Sequence, residues 1–275
     1  MSANHSDRQL AGQLAGLGVE PDGVLMVHAS LRTVGAVEGG PGAMVRALRQ
    51  ALGPQGTLVV PSFTTENSDT SPSFHDRVRG LGEEERAAVR ASMPPFDRAS
   101  TPAPLMGTLA ETVRLSPGAL RSGHPQTSFA ALGPHAERIV ADHSPDCHLG
   151  EESPLARLYE LRAQVLLLGT GFDRCTAFHL GEYRVPSPPQ RLYRCVVSGN
   201  GGREWWEYAD VDLDDSDFAA LGSDFERGAS GGAVRKGRVG SAESRLLRIA
   251  DAVDFAQRWL PEHRKPRQGV VPGHG

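Results

Sequence analysis

Three short runs of the chain are apolar at nearly every position: Val24 to Val27, Thr57 to Val60 and Gln164 to Leu168. Uniform apolarity over a strand length means burial on both faces. Between the first two runs, Met44, Val45, Leu48, Ala51 and Leu52 recur at helical spacing over Gly42 to Leu52, and Gly53-Pro54 ends the pattern. Doubly buried strands need helices above and below them. The pattern therefore predicts an α/β fold, a three-layer α/β/α sandwich around a central mixed sheet. Glu66 to Thr101 breaks the rhythm with Pro72, Pro94, Pro95 and a charged stretch from Glu83 to Arg90, and reads as an inserted loop and helical segment. An amphipathic helix is predicted over Ser244 to Leu260, followed by a polar, Pro- and Gly-bearing tail over 261–275 that reads as loose. No internal repeat is visible, and residues 1–275 read as one domain.

Composition narrows the class. A compact chain of 275 residues buries roughly three quarters of its unfolded surface. With 39% hydrophobic and 23% charged residues, and 32 Gly and 20 Pro, the chain is globular rather than low-complexity. A net charge of -4 offers no cationic surface to offset many phosphates, so a small molecule is the expected partner and nucleic acid is not. Glu204 to Glu226 holds nine acidic residues and no Lys or Arg. It reads either as a solvated surface or as an attractor of a cationic substrate. Cys147, Cys175 and Cys195 are odd in number and widely spaced, which suits reduced thiols in a cytoplasmic protein. The first residues lack a signal-peptide pattern, and no apolar run approaches the roughly 18 residues of a membrane span.

Three motif matches fail on context. Gly228-Ala-Ser-Gly-Gly232 fits G-x-S-x-G, but its flanks are acidic before and basic after, not the buried strand and helix of a nucleophile elbow. Gly169-Thr-Gly171 opens like a dinucleotide fingerprint, yet Arg174 stands in place of the third glycine. Asp142-His143-Ser-Pro-Asp146-Cys147-His148 is rich in ligand types but lacks paired C-x-x-C or helical H-x-x-x-H spacing, so a polar loop is expected and no metal.

Two segments carry chemistry. Val27-His28-Ala-Ser30-Leu31-Arg32-Thr33-Val34-Gly35 leaves a strand, turns through glycines and enters a helix at Gly42. Backbone N–H groups at such a turn suit anion binding, and Arg32 can add a charge-assisted bond. A tight structural connection is the competing reading. Gly169 to Arg184 places His179 beyond the end of the strand expected over Gln164 to Leu168, where open α/β sheets collect active sites. On a helix over Thr176 to Tyr183, His179 and Glu182 share a face, so the carboxylate can orient or polarise the imidazole.

These segments, with Ser122-Gly-His124-Pro125-Gln-Thr-Ser128-Phe129, resemble the aminoglycoside 3-N-acetyltransferase family, antibiotic acetyltransferases distinct from the GNAT fold. The likeness runs from about Leu10 to Leu260 through Leu25-Met-Val-His-Ala-Ser-Leu-Arg32, Gly53-Pro-Gln-Gly-Thr-Leu-Val-Val-Pro-Ser-Phe-Thr64, Met106-Gly-Thr-Leu-Ala-Glu111 and Glu152-Ser-Pro-Leu-Ala-Arg-Leu, with Gly237, Gly240 and Ala242 at a late G-x-x-G-x-A motif. The resemblance implies acetyl transfer from acetyl-CoA to the 3-amino group of a 2-deoxystreptamine aminoglycoside, an antibiotic-resistance chemistry. It implies His179 as general base, Glu182 as its partner and Thr176 as a stabiliser of the developing oxyanion. It further implies that His28, Ser30, Leu31, Arg32, Thr33 and Val34, with Ser122, His124 and Ser128, bind acetyl-CoA. The family usually shows Asn-Thr-Ser before the histidine and Ala between His-Leu and Glu. Cys175, Thr176, Ala177 and Gly181 stand there instead, a departure expected to affect substrate fit more than chemistry.

Direct transfer needs no acyl-cysteine, so Cys175 reads as a packing residue. The alternatives are an acetyltransferase for another amine-bearing small molecule and a non-catalytic CoA- or aminoglycoside-binding protein. A homodimer is compatible with either.

Overall fold

In a computed structural model of the chain, the described residues are 4–199, 202–228 and 232–264. The strands are β1 (Val24–Ala29), β2 (Thr57–Pro61), β3 (Leu120–Arg121), β4 (Phe129–Leu132), β5 (Gln164–Leu168), β6 (Gln190–Gly199), β7 (Gly202–Val211), β8 (Val234–Val239) and β9 (Ala242–Arg248). The helices are α1 (Asp7–Leu17), α2 (Leu31–Val34), α3 (Gly40–Leu52), α4 (Pro72–Arg77), α5 (Glu83–Ser92), α6 (Gly107–Arg114), α7 (Ala136–Val140), α8 (Pro154–Glu160), α9 (Ala177–Tyr183), α10 (Phe218–Gly228) and α11 (Ile249–His263).

Seven strands form one sheet in the order β3-β4-β2-β1-β5-β9-β8, and β6 and β7 form a separate hairpin. β1 runs parallel to β2 and β5, while the outer pairings are antiparallel. The sheet is mixed, as its apolar runs predict. Side chains alternate along β1: Leu25 and Val27 join a core with Leu10 and Leu14 of α1, Met44 and Leu48 of α3, and Leu109 and Val113 of α6. Val24 and Met26 join the opposite core, with Phe178 of α9, Phe218 of α10 and Val253 of α11. Each fully buried side chain of this kind contributes about 1.5–3 kcal/mol. Because the strand period is two, His28 points to the α9 face.

The helix expected over Ser244 to Leu260 divides into β9 and α11. Ala242, Ser244 and Leu246 are buried while Glu243 is exposed, a period of two that places these residues in the sheet, antiparallel to β5. The terminal helix continues to His263, and Arg264 is held by ion pairs, so 261–264 are not loose. Residues 265–275 lie outside the described residues, as does Ser230 of the G-x-S-x-G match. The insertion is α4, α5 and their loops. It packs Phe74, Val78 and Met93 on Val196 of the hairpin, and single bridges link Ser68 to Cys195 and Phe96 to Val197.

The ends of β1 and β5 lie side by side, Ala29 opposite Leu168. Gly169 makes the sharp exit from β5 at φ 66°, where a Cβ would stand 1.9 Å from Thr33 Oγ1. Gly181 has a different task. A Cβ there would come within 2.7 Å of the Ala256 Cβ, so this departure from the family pattern lets α11 press against α9. It bears on helix packing rather than on substrate fit. No helix among the described residues is long and apolar enough to cross a membrane.

Candidate active site

Beyond the ends of β1 and β5 lies a cleft of about 550 Å3. His28, Ser30, Leu31 and Arg32 form one wall, the start of α6 at Gly107 and Thr108 another, and Thr170, Thr176, His179, Asp215 and Phe218 a third. Active sites of open α/β sheets gather at this edge because the strand-to-helix turns there present free backbone groups.

His179 and Glu182, one helical turn apart on α9, form the central pair. Nδ1 of His179 lies 2.6 Å from Oε2 of Glu182. A carboxylate accepts a proton bond, so Nδ1 carries the hydrogen and Nε2 is left for chemistry. Nε2 has no hydrogen-bond partner among the described residues. Glu182 is itself fixed: its Oε1 accepts the Asp214 N–H at 3.1 Å and the Arg264 guanidinium. Arg264 also grips Asp217 through two bonds of 2.7 and 2.6 Å. Burial opposes the charge of Arg264, yet the bonds to Asp217 and Glu182 outweigh it and raise its pKa. The His179 ring packs 4.7 Å, centroid to centroid, from Phe218.

His28 is different in kind. Burial, with the neighbouring His179 adding to it, holds its pKa down to about 3, so its imidazole is neutral and unsuited to serve as base. Cys175 is fully buried and burial pushes its thiol up to about 12, which makes it the packing residue expected.

The expected donor-binding residues divide into three groups. Ser30, Leu31 and Arg32 line the cleft, and Arg32 has no acidic partner among the described residues. Thr33 and Val34 instead build the turn. The Thr33 hydroxyl donates to the Ser30 carbonyl at 2.7 Å, and the buried Val34 accepts the Ser241 N–H at 2.9 Å. Ser122, His124 and Ser128 are not in the cleft at all. They belong to a closed polar cluster where Ser122 Oγ meets His143 Nδ1 at 2.9 Å, His124 Nδ1 accepts the N–H groups of Gln126 and Thr127, and Ser128 Oγ donates to the Ser62 carbonyl at 2.8 Å. Nearby, His148 Nδ1 lies 2.8 Å from Asp210 Oδ2, which Tyr183 also meets at 2.5 Å. Their residue types suit ligand binding, but most of these polar atoms are consumed within the cluster, the His124 Nε2 being enclosed there without a partner.

The segment from Asp142 to His148 is a polar loop, and it supplies two buried histidines to this cluster. No group of three or more His, Cys, Asp or Glu side chains among the described residues is placed to hold a metal ion. The acidic stretch is largely spent internally: Asp212, Asp217, Asp224 and Glu226 pair with Arg191, Arg264, Arg227 and Lys236. Asp215 is the member that lines the cleft. Sequence reading missed Arg264, Asp217, Thr170 and Phe218, none of which carries a local motif.

Residues 26–261 match a family model described as aminoglycoside 3-N-acetyltransferase. The SPbeta prophage-derived aminoglycoside N(3')-acetyltransferase-like protein YokD of Bacillus subtilis (strain 168) is 36% identical over 254 residues, covering 92% of this chain and 91% of that protein. Its crystal structure superposes with a TM-score of 0.88 over 96% of both chains, at 34% identity. AAC-IIIb in a binary complex with CoASH gives a TM-score of 0.80 at 32% identity, covering 96% of this chain and 100% of that one. AAC-VIa bound to sisomicin gives 0.81 at 31% identity, with the same coverage.

Proposed function

The chain belongs to the aminoglycoside 3-N-acetyltransferase family, and from that premise we propose that it moves an acetyl group from acetyl-CoA to the 3-amino group of a 2-deoxystreptamine aminoglycoside, with His179 as general base. The observation that carries this reading is the buried His179–Glu182 pair whose second imidazole nitrogen opens on the cleft. An aminoglycoside amine is largely ammonium at neutral pH and attacks a thioester only after losing a proton, which calls for a base titrating near the working pH. Glu182 holds the ring in one tautomer and favours the imidazolium that forms. Thr176, at the start of α9, lines the same cleft, which supports assigning its hydroxyl to the developing oxyanion.

The residues present fit the acetyl donor. Arg32 lines the cleft wall with no acidic partner among the described residues, the first turn of α2 has no side-chain cap, and AAC-IIIb, a structural relative, is known with CoASH. Ser30, Leu31 and Arg32 are therefore assigned to the diphosphate. Asp215 puts negative charge at the same cleft, where a polycationic acceptor would enter, while Asp173 there is paired with Arg174 at 3.2 Å. The three free cysteines support a cytoplasmic setting. The test is thiol release from acetyl-CoA against a panel of aminoglycosides and simple amines, with mass and position of the added acetyl group determined. Amine-dependent release with acetyl on the 3-amino group is expected, and release without it would end the proposal.

A further inference from the structure

We propose that, beside the Thr176 hydroxyl, His28 donates a hydrogen bond to the thioester carbonyl oxygen as the amine attacks, with the Thr170 hydroxyl as a further donor. This rests on the acetyltransferase reading above. The ring is on the α9 face of β1, 9% exposed, and lines the cleft that holds His179. No hydrogen bond reaches it from the described residues, and its Nε2 is enclosed without a partner. The Thr170 Oγ1, just past β5 on the adjoining strand end, is likewise enclosed and unpartnered on the same cleft. In the closed cluster His143 and His148 have partners at both nitrogens, whereas His124 is bonded at Nδ1 alone and its Nε2 is enclosed among the neighbouring rings, away from the cleft. Eight buried side-chain polar atoms among the described residues lack a partner, each at a cost in desolvation free energy, and His28 and Thr170 are the two of these residues that line the cleft, where a ligand can meet them.

The chemistry of the ring suits a carbonyl oxygen. A neutral imidazole has one N–H and one bare nitrogen. Enclosing a donor with no acceptor costs more than enclosing a bare acceptor, so the hydrogen belongs on Nδ1 and Nε2 is the bare atom. Because His28 stays neutral through the working range, it cannot take the proton that His179 must take. The two histidines thereby divide the work, one as base and one as electrophile. As the amine nitrogen bonds to the carbonyl carbon, the C=O electron pair moves onto oxygen and meets the His28 N–H and the Thr170 O–H. When that pair returns, the C–S bond breaks, and sulfur leaves with the proton His179 took from the attacking nitrogen, the other proton of the original ammonium having passed to solvent. The products are an amide and CoA thiol.

Loss of one such donor lowers turnover about 10²- to 10³-fold. His28→Phe is therefore expected to reduce kcat by that order while the dissociation constant of CoA, which lacks the acetyl carbonyl, stays within about threefold by calorimetry. His28→Gln, which keeps a donor, should recover part of the loss, and Thr170→Val should show a smaller deficit. In wild-type protein, the His28 ring N–H resonance should shift on adding a ketone analogue of acetyl-CoA with carbon inserted before sulfur, and stay in place with CoA alone. This last measurement needs neither folding of a variant nor turnover. Unchanged kcat in His28→Phe, or a resonance that responds equally to CoA, would overturn the proposal. So would a loss confined to CoA affinity, which would make His28 part of the binding wall. If wild-type protein acetylates no amine, the acetyltransferase reading itself fails, an outcome separate from these.

Discussion

Among the described residues, two histidine–carboxylate pairs have nearly the same geometry: His179 with Glu182 at 2.6 Å and His148 with Asp210 at 2.8 Å. Their surroundings differ. Nε2 of His179 has no partner among the described residues and faces the cleft, whereas Nε2 of His148 meets the Tyr208 hydroxyl at 3.1 Å inside a packed cluster of rings. A hydrogen-bonded His–carboxylate pair is thus not by itself a catalytic device. What separates the two is whether the second nitrogen is spent on the fold or left for a substrate.

The sharpest way to break that contrast is to remove each histidine in turn. A positioned general base contributes about 10²- to 10⁴-fold, so His179→Ala should lower turnover by that order, with acetyl-CoA affinity and thermal stability close to wild type. The variant should lose the rise of rate with pH and recover partly under alkaline conditions, where free amine forms unaided. Glu182→Gln should cost less. Next in size, His148→Ala removes one partner of a buried pair, a change that costs about 3 kcal/mol. Denaturant unfolding should show that loss while turnover per folded molecule changes less than about threefold. A His148 variant as inactive as His179→Ala, at intact stability, would erase the distinction.

Acid should also act mainly on the closed region. Burial, and secondarily the neighbouring histidines, hold His124 well below the ordinary histidine value; burial holds His143 at about 4 and lowers His148. The unfolded chain takes up these protons near pH 6.5, so below that value it binds more protons than the folded state does. Stability is then fully present above pH 6.5 and falls as pH drops toward 4, at up to about 1.4 kcal/mol per pH unit for each such group. His28, held at about 3, adds to the same slope. Replacing His143 by Phe should flatten it, measured as urea midpoints between pH 7 and 4.5.

How far each region was legible follows from how local its interactions are. The strands β1, β2 and β5 announce themselves because each is buried on both faces, and the His179–Glu182 pair because three residues make one helical turn. The His148–Asp210 pair spans 62 positions and Ser122 meets His143 across 21, while His124 is bonded locally to Gln126 and Thr127 and is closed in only when His143 and His148 pack on its ring. Motif residues there looked like ligand binders because chemistry and core networks draw on the same polar side chains. β9 was read as helix because its Arg and Glu positions imitate an amphipathic face, although Arg245 is in fact consumed by Glu226 and Glu243.

The smallest effect concerns how each carboxylate is held. Asp210 is fixed from within, by Tyr183 and by the backbone N–H of His148 at 2.7 Å. Glu182 depends on Arg264, which follows the last helix and is partly exposed. Arg264→Ala leaves the Asp214 N–H as the remaining bond to Oε1 and takes a positive charge away from the pair. With that charge gone, the imidazolium of His179 is favoured relative to the neutral base. The acid limb of the rate profile should therefore move to higher pH, and turnover near neutrality should fall a few-fold, in keeping with about 1 kcal/mol for a charge-assisted bond at a partly exposed site. Arg264→Lys should restore most of the limb, because it returns the charge though not the two-pronged grip on Asp217. If Arg264→Ala lowers stability with no movement of the limb, Arg264 anchors α11 alone, and Glu182 is positioned by α9 and the Asp214 backbone without it.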